Sequence, residues 1–324
     1  MRERIKAAAN FLLKPLDLSI GRRDLAWERN AATALYESIG KWAEREFTHP
    51  VECIIFSKDR AFQLHALLSS YYEKIFSPAP VHVLYQASTP AHQAAYDDVQ
   101  ALFSGKDAVF VRQHDGGSFR RDVLDLLETL QSEKVFFLVD DMLFTEEVDL
   151  ADFAKFNTDL FVPSLRMGEN LSVCFTLQKA QPQPPFLRHE AAGPDKMVWR
   201  WEQGVYDWNY PLSLDGHLFS RREISVMTDC IVFLAPNSYE ANLQRFRWLY
   251  LNRLGVSYRK SKVVNVACNK VQTENDNLCG NVHQDALLEQ WQKGFQMDYR
   301  QLFGLVNQSA HQDVAFNLVP RRKE

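Results

Sequence analysis

The sequence predicts an α/β fold with a doubly wound, mostly parallel central sheet flanked by helices. After Pro50, an apolar stretch rich in β-branched residues and then an amphipathic helical stretch occur three times in succession, and a fourth apolar stretch follows. The apolar stretches are almost continuous, which is typical of parallel strands covered on both faces. Polar residues follow these stretches directly. The sequence therefore predicts a polar edge at the carboxyl ends of the strands, where open α/β sheets bind ligands.

These elements follow one another closely between residues 51 and 141. The strands contain runs of Val, Ile and Phe, whereas the helices repeat apolar residues every three or four positions. Thr89 is a good N-cap and Pro90 suits the first helical turn. The predicted strands are 51–57, 81–88, 108–113 and 134–141, and the predicted helices are 58–76, 89–103 and 120–132.

Helical additions are predicted at both ends of this domain. Trp27, Leu35 and Trp42 recur at helical spacing before the first strand. Beyond Asp149 the regular alternation gives way to longer connections, which we interpret as part of the same domain. In that half we predict a helix over 239–254, a strand over 263–267 and helices around 287–295 and 299–306. The predicted organisation is an N-terminal helical extension (1–49), a main domain (50–270) and a C-terminal helical segment packed on it (271–324).

Composition narrows the function classes. The chain has 324 residues, of which 46% are hydrophobic and 24% charged, and its net charge is −4. Nucleic acid is not expected as the main ligand, because a nucleic-acid binder normally has a clear basic excess. The five cysteines are scattered without CxxC spacing, which predicts no disulfide framework and no structural zinc site, and favours a reducing cytosol.

The first eighteen residues are basic and partly apolar, but Lys14 and Pro15 interrupt the apolar run, so no membrane span is expected. A helix docked on the domain is the favoured interpretation. The alternative is an amphipathic helix lying on a membrane surface, with Leu12 and Leu13 on one face and Arg2 nearby.

The fourth strand, KVFFLVDD, ends in the adjacent carboxylates Asp140 and Asp141. Two adjacent ionised carboxylates repel each other unless a cation or a hydrogen-bond donor compensates. Mg²⁺ and Mn²⁺ prefer such oxygen ligands and complete their shells with water and substrate phosphates. The pattern therefore favours a metal and nucleotide site. A turn in which one aspartate caps the next segment is the alternative.

Further polar residues belong to the same predicted edge. Asp59 and Arg60 follow the first strand and would contact a nucleotide base and phosphate, or cap the next helix instead. The stretch HDGGSFRR, which contains Arg120, offers flexible backbone beside basic residues and suits ribose or phosphate. The predicted nucleotide-binding residues are Ser57, Asp59, Arg60, Gln86, Arg120, Asp140 and Arg221.

The order of these motifs resembles the glycosyltransferases of the GT-A fold, particularly the family 2-like group. The resemblance covers about residues 51 to 270 and rests on SKDRAFQLHALLSS, VFFLVDD, DGHLFSRREI and NSYEANL. It implies a GT-A type, Rossmann-like domain in which VFFLVDD presents a carboxylate to the metal ion that bridges the diphosphate of a nucleotide sugar. DGHLFSRREI would frame the donor and acceptor pocket, and NSYEANL would supply the catalytic base.

The resemblance also implies roles for individual residues. Asp141 would bind Mn²⁺ or Mg²⁺ together with Asp140, which would also hydrogen-bond ribose or sugar hydroxyls. If the reaction inverts the anomeric carbon, Glu240 or Asp215 would take the proton of the attacking hydroxyl, and Glu240 ranks first. Arg221 would pair with the diphosphate, or else begin a solvated helix.

The function implied is transfer of a sugar from a UDP- or GDP-sugar to a saccharide or glycolipid acceptor in surface polysaccharide synthesis. By the same likeness the enzyme would be cytoplasmic, with membrane contact through the N-terminal helix as a further option. A sugar nucleotidyltransferase is one alternative, but it would normally have a glycine-rich loop after its first strand, and SKDRAF has no glycine. The other alternative is a noncatalytic nucleotide- or carbohydrate-binding protein of the same fold.

Overall fold

The structure is a computed structural model that describes residues 24–114, 116–267 and 283–321. The chain divides into two compact units, of which the first ends at Ala43 and the second begins at Glu44. In the first unit, helix α1 (Leu25–Trp42) is capped by the Asp24 side chain, which accepts a hydrogen bond from the Trp27 N–H at 3.1 Å. The helix predicted within the first eighteen residues, docked on the domain or lying on a membrane surface, falls outside the described residues.

A five-stranded sheet, ordered β12-β5-β1-β3-β4, lies at the centre of the second unit. Strands β1, β3, β4 and β5 are parallel, and only β12 is antiparallel. The predicted α/β class with a mostly parallel central sheet is therefore confirmed. The strands of this sheet are β1 (His49–Lys58), β3 (Val81–Gln86), β4 (Ala108–Arg112), β5 (Ser132–Val139) and β12 (Leu218–Ser220).

Helices cover this sheet on both faces. Along β1, Cys53 and Ile55 belong to one large apolar cluster, whereas the next residue, Phe56, packs against Phe119 and Tyr239 on the opposite face. This alternation of two buried faces explains the continuous apolar run in the sequence. The remaining helices are α2 (Ala61–Lys74), α3 (Pro90–Leu102), α4 (Phe119–Thr129), α5 (Leu150–Ala154), α6 (Arg221–Asp229), α7 (Pro236–Leu243), α8 (Arg247–Tyr250) and α9 (Gln284–Gln292).

Smaller sheets complete the unit. One has the order β11-β13-β8, and another has the order β16-β14-β6. The second of these matters for the site, because β6 follows the aspartate pair directly and β16 comes from the late part of the chain. The strands outside the central sheet are β2 (Ile75–Phe76), β6 (Met142–Phe144), β7 (Val148–Asp149), β8 (Phe161–Ser164), β9 (Val173–Cys174), β10 (Lys179–Ala180), β11 (Lys196–Arg200), β13 (Leu254–Tyr258), β14 (Val263–Val266), β15 (Phe295–Met297), β16 (His311–Gln312) and β17 (Leu318–Pro320).

The helix predicted over 239–254 is confirmed except at its end. Helical structure covers Pro236–Leu243 and Arg247–Tyr250 with a 3₁₀ turn over Gln244–Phe246 between them, and Leu254 begins strand β13. The cause is tertiary: Gly255 lies against the Trp199 indole so closely that a Cβ there would be 2.2 Å from its Cε2 atom. Pairing with β8 and β11 therefore overrides the local helical pattern.

The late part of the chain is also less helical than predicted. Helix α9 is present, but the helix expected at 299–306 is a short 3₁₀ helix, Tyr299–Leu302, flanked by β15, β16 and β17. Gly304 has a φ of +80° and donates its N–H to the Thr145 carbonyl oxygen at 2.8 Å, which stops helical continuation.

Candidate active site

The loop after β1 is tied to the loop after β3 at the carboxyl edge of the central sheet. The Asp59 carboxylate accepts hydrogen bonds from the Ser88 N–H at 2.7 Å and from the Ser88 hydroxyl at 2.6 Å. Asp59 is buried with a φ of 53°, and its N–H donates to the Gln86 carbonyl oxygen at 3.0 Å. A positive φ is uncommon outside glycine, so the Ser88 bonds hold an unusual turn in place. The Gln86 side chain is exposed beside it.

Asp140, at the end of β5, lies inside a hydrogen-bond network. Its Oδ2 accepts from the Ser57 hydroxyl at 2.9 Å and from the Lys58 N–H at 3.2 Å, and its Oδ1 accepts from Arg60 at 3.0 Å. The Tyr96 phenol lies 2.6 Å from the Ser57 hydroxyl. Burial raises the pKa of Asp140 to about 6, an effect that Arg60 opposes and the Asp141 carboxylate reinforces.

One nitrogen of Arg60 serves both adjacent carboxylates. Its Nη1 lies 3.0 Å from Asp140 Oδ1 and 3.2 Å from Asp141 Oδ2. The second oxygen of Asp141 accepts from the Asn265 side chain at 3.3 Å. A cation shared between two like charges offsets their repulsion, so this arginine explains how the chain tolerates an acidic pair at the end of a buried strand.

The two aspartates differ in their ability to hold a metal ion. Both Asp140 oxygens already accept short hydrogen bonds, and its side chain is 5% exposed, against 19% for Asp141. Among the described residues, no group of three or more His, Cys, Asp and Glu side chains is placed to hold a metal. The residues present fit an Mg²⁺ or Mn²⁺ ion held by Asp141, with water and phosphate oxygens completing the shell. The predicted metal contact of Asp140 stays a prediction, and Asp141 is the more accessible of the two carboxylates, because the Asp140 oxygens hold the Ser57 and Arg60 network together.

Strand β12 brings Asp215 to the same edge. Its antiparallel register pairs Leu218 with Phe136 of β5, and the Gly216 N–H donates to the Phe137 carbonyl oxygen at 2.8 Å. This bond places Asp215 close to the end of β5, near the acidic pair. The sheet therefore joins two parts of the chain that are far apart in sequence.

Asp215 and Glu240 form a second acidic group with Ser213 and Arg166. Glu240 Oε1 accepts from the Ser213 hydroxyl at 2.8 Å and from the Leu214 N–H at 2.9 Å. The Arg166 guanidinium lies 3.1 Å from Asp215 Oδ2 and donates to the Ser213 hydroxyl oxygen at 2.7 Å. Burial raises the pKa of Glu240 to about 7, with a further rise from Asp215 that Arg166 opposes. A carboxyl group with a pKa near neutrality suits general base catalysis.

Sequence reasoning missed Arg166 and His311. His311 Nε2 lies 3.5 Å from Asp215 Oδ2, and β16 places His311 opposite Asn265, the residue that binds Asp141. His311 therefore links the two acidic groups. Neither residue belongs to a local motif, and only the pairing of β14 with β16 could have identified His311.

The structure contradicts the predicted nucleotide contact of Arg221 and gives Arg120 partners within the protein. Arg221 lies at the opposite edge of the sheet, where its guanidinium donates to the carbonyl oxygens of Leu127 and Leu130, just before β5 begins. Its helix starts with this side chain directed at the amino ends of the strands. Arg120 stays near the carboxyl edge, but it donates to the Ile231 carbonyl oxygen at 2.7 Å and to Asp229, and so fastens a loop.

Three tryptophans belong to the core of the molecule. Trp199, Trp201 and Trp208 are completely buried and pack edge to face at centroid distances of 4.9 and 5.0 Å. Buried in this way, these three rings contribute packing and are not exposed to a ligand.

Comparison with known proteins gives one curated relative. No family model matches the chain. It is similar to the bifunctional glycosyltransferase pgtA of Dictyostelium discoideum, with 24% identity over 258 residues that cover 70% of this chain and 33% of that protein. The chain thus spans a third of the length of this relative.

Among solved structures, S. aureus TarS 1–349 in complex with UDP-GlcNAc matches with a TM-score of 0.44 and 14% identity, covering 70% of this chain and 60% of that one. The 4-diphosphocytidyl-2C-methyl-D-erythritol synthase of Anaerococcus prevotii matches with a TM-score of 0.38 and 11% identity, covering 74% of this chain and 94% of that one. In the part of the chain that the structure describes, no helix has the length and hydropathy needed to cross a membrane.

Proposed function

We propose that the protein is a metal-dependent glycosyltransferase of GT-A type that moves a sugar from a UDP- or GDP-sugar to a saccharide or glycolipid hydroxyl. The observation that carries this proposal is the meeting of two acidic groups at one sheet edge. One contains Asp141 and Arg60, and the other contains Asp215 and Glu240. A transfer that separates charge at a diphosphate and removes a proton from a hydroxyl needs both kinds of group. The similarity to a bifunctional glycosyltransferase supports the same reading.

The donor half would use the residues after β1, β3 and β5. Asp59 and Gln86 would contact the nucleoside, and Arg60 would face the diphosphate. Asp141 would hold the Mn²⁺ or Mg²⁺ ion, which when bound stabilises negative charge on the leaving diphosphate. Asp140 would act indirectly, since its bonds to Ser57 and Arg60 fix the position of the arginine.

The acceptor half would use Glu240 and Asp215. Glu240 would take the proton of the attacking hydroxyl, because its pKa of about 7 allows it to be ionised and still basic near neutral pH. Asp215 is paired with Arg166 and would instead orient a sugar hydroxyl. A base on the acceptor side corresponds to direct displacement, so we propose inversion at the anomeric carbon.

The first test is thermal stabilisation of the full chain by UDP and GDP, each with and without Mn²⁺. We expect one nucleotide to raise Tm by several degrees, and more with Mn²⁺, because ligands that bind only the folded state stabilise it. Asp141→Asn should remove the Mn²⁺-dependent part. Asp125→Asn is the matched control, since Asp125 is a half-exposed carboxylate paired with Arg121 on α4.

A donor-sugar screen by mass spectrometry then measures turnover. Release of nucleoside diphosphate with transfer of the sugar is the expected result. Release of pyrophosphate from a nucleoside triphosphate would show a nucleotidyltransferase instead. Nucleotide binding without turnover, unchanged in Asp141→Asn, would show a noncatalytic binding protein.

A further inference from the structure

The Ser213 hydroxyl is a hub with three hydrogen-bond partners. Arg166 Nη1 lies 2.7 Å from it, the Asp215 N–H lies 3.2 Å from it, and Glu240 Oε1 lies 2.8 Å from it. A hydroxyl has one proton and two acceptor positions. Guanidinium and amide nitrogens can only donate, so they occupy both acceptor positions. The single Ser213 proton is therefore directed at Glu240 Oε1.

This arrangement makes the two oxygens of Glu240 different. Oε1 receives the Ser213 hydroxyl and the Leu214 N–H, at 2.8 and 2.9 Å. Within the described ranges, no protein donor reaches Oε2. A carboxylate whose first oxygen is fixed by two donors presents the second oxygen in one orientation.

The Arg166 side chain is buried and fixed by two carboxylates. Its side chain is 4% exposed, and its nitrogens lie 3.0 Å from Asp207 and 3.1 Å from Asp215. Among the described residues no ion pair joins Arg166 to Glu240, but its positive charge lowers the pKa of that carboxyl through space. Arg166 also polarises the Ser213 hydroxyl by donating to its oxygen.

Resting on the function proposed above, we propose that Ser213 and Arg166 are positioning residues that hold Glu240 Oε1 and leave Oε2 as the proton-accepting atom. The acceptor hydroxyl oxygen forms a bond to the anomeric carbon while its proton moves to Oε2. The bond from the anomeric carbon to the diphosphate oxygen breaks, and the electron pair leaves with the diphosphate. The proton on Glu240 is then released to solvent.

The charged and titratable groups that face Glu240 define the pH dependence. They are Asp215 from the turn before β12, Arg166 from the loop after β8, and Tyr210 from the segment before Ser213. Burial raises the pKa of Tyr210, so its phenol stays neutral. Asp215 raises the pKa of Glu240, whereas Arg166 and the Ser213 hydrogen bond lower it. Removal of the Ser213 hydroxyl must therefore raise the pKa of Glu240.

The test is a ¹³C NMR titration of glutamate-labelled protein without donor or acceptor, with the Glu240 signal assigned by its loss in Glu240→Gln. Ser213→Ala should raise the pKa of Glu240 by about one unit, because a hydrogen bond to a charged group is lost. Ser213→Thr, which keeps the hydroxyl, should restore the original value. Ser225→Ala is the matched control, since Ser225 bonds the Arg221 carbonyl oxygen on α6, at a helix outside this cluster.

Ser213→Cys is the second variant, because a thiol has similar size and is a weak donor. It should raise the pKa of Glu240 by less than Ser213→Ala does. If Ser213→Ala does not fold, the pKa of Glu240 in Ser213→Cys tests the proposal. An unchanged Glu240 pKa in the folded variants would show that the Ser213 hydroxyl does not act on Glu240 and would overturn the proposal. The titration needs no turnover, so failure of every donor in the sugar screen would refute the glycosyltransferase proposal and leave this result standing.

Discussion

Arg60 holds the acidic pair through a single nitrogen that lies within 3.2 Å of both carboxylates. Asp140 depends most on this contact, because it is buried at the end of a strand with Asp141 directly beside it. Removing one partner from a buried charged group leaves an uncompensated charge, which costs more than the intact pair contributes. Arg60 is therefore expected to matter for stability as well as for ligand binding.

Arg60→Met should lower the free energy of unfolding by about 3 kcal/mol at pH 8, measured by urea denaturation. The loss should be smaller at pH 5, because protonation of Asp140, whose pKa burial raises to about 6, removes one of the two charges. Arg60→Lys keeps a positive charge and should lose less than Arg60→Met at both pH values. An equal loss at pH 5 and pH 8 would contradict this account of the pair.

Strand β12 brings Asp215 to the strand end that carries Asp140 and Asp141. Gly216 precedes it with a φ of +75°, and a Cβ there would lie 3.3 Å from the Leu165 Cβ atom. The positive φ requires glycine, since a left-handed conformation costs other residues about 1 to 2 kcal/mol. The turn that presents Asp215 therefore depends on one glycine.

Gly216→Ala should lower the free energy of unfolding by about 1 to 2 kcal/mol. It should lower kcat/KM more than this loss of stability explains, because Asp215 and the hub at Ser213 would shift. Gly294→Ala is the matched control, since Gly294 has a φ of +84° with nothing within 4 Å of an added Cβ. A similar loss of stability in both variants, with activity equally preserved, would show that the turn does not position the site.

In the described part of the second unit, burial raises the pKa values of two carboxyl groups, and both contribute to how stability depends on pH. Glu240 shifts from 4.5 to about 7 and Asp140 from 3.8 to about 6 on folding. These two carboxyl groups bind more protons in the folded state than in the unfolded state, so their contribution to stability falls as pH rises through this interval and levels off above it. His65 and His217 contribute the opposite slope, because burial lowers their pKa values to about 4 and about 3.

Glu240→Gln should make the slope of unfolding free energy against pH less negative, or more positive, between about pH 4.5 and pH 7, because glutamine does not titrate. The measurement is the free energy of unfolding from urea denaturation at several pH values. Glu133→Gln replaces an exposed glutamate at the start of β5 and should leave the slope unchanged. A slope unaffected by Glu240→Gln would show that Glu240 does not retain its proton on folding.

The central sheet could be predicted from the sequence because its strands are buried on both faces and its helices are amphipathic. Local patterns identified 51–57, 81–88, 108–113 and 134–141, all of which lie at least mainly in strands β1, β3, β4 and β5. The antiparallel edge strand β12 could not be predicted, because a strand of three residues is too short to show a periodic pattern. Strand β13 was not predicted, and the helix predicted over 239–254 ran into its first residue, because the contact of Gly255 with a packed tryptophan, and no local feature, favours a strand there.

Residues of the candidate site could be predicted where they follow a strand directly, and not where only tertiary contacts bring them there. Asp59, Arg60, Asp140 and Asp141 follow strands, so the order of elements placed them at one edge. Arg221 was misplaced because a pair of arginines at a helix start does not reveal which one turns inward. Residues Arg166, Ser213 and His311 join the site only through tertiary contacts.

The pairing of β16 with β14 has a consequence for biosynthesis. Synthesis starts at the amino end, so strands β1, β3 and β5 leave the ribosome long before β16. His311 can reach Asp215 only after β16 has paired with β14 beside Asn265. A nascent chain whose central sheet had already formed would therefore still lack this contact of the candidate site.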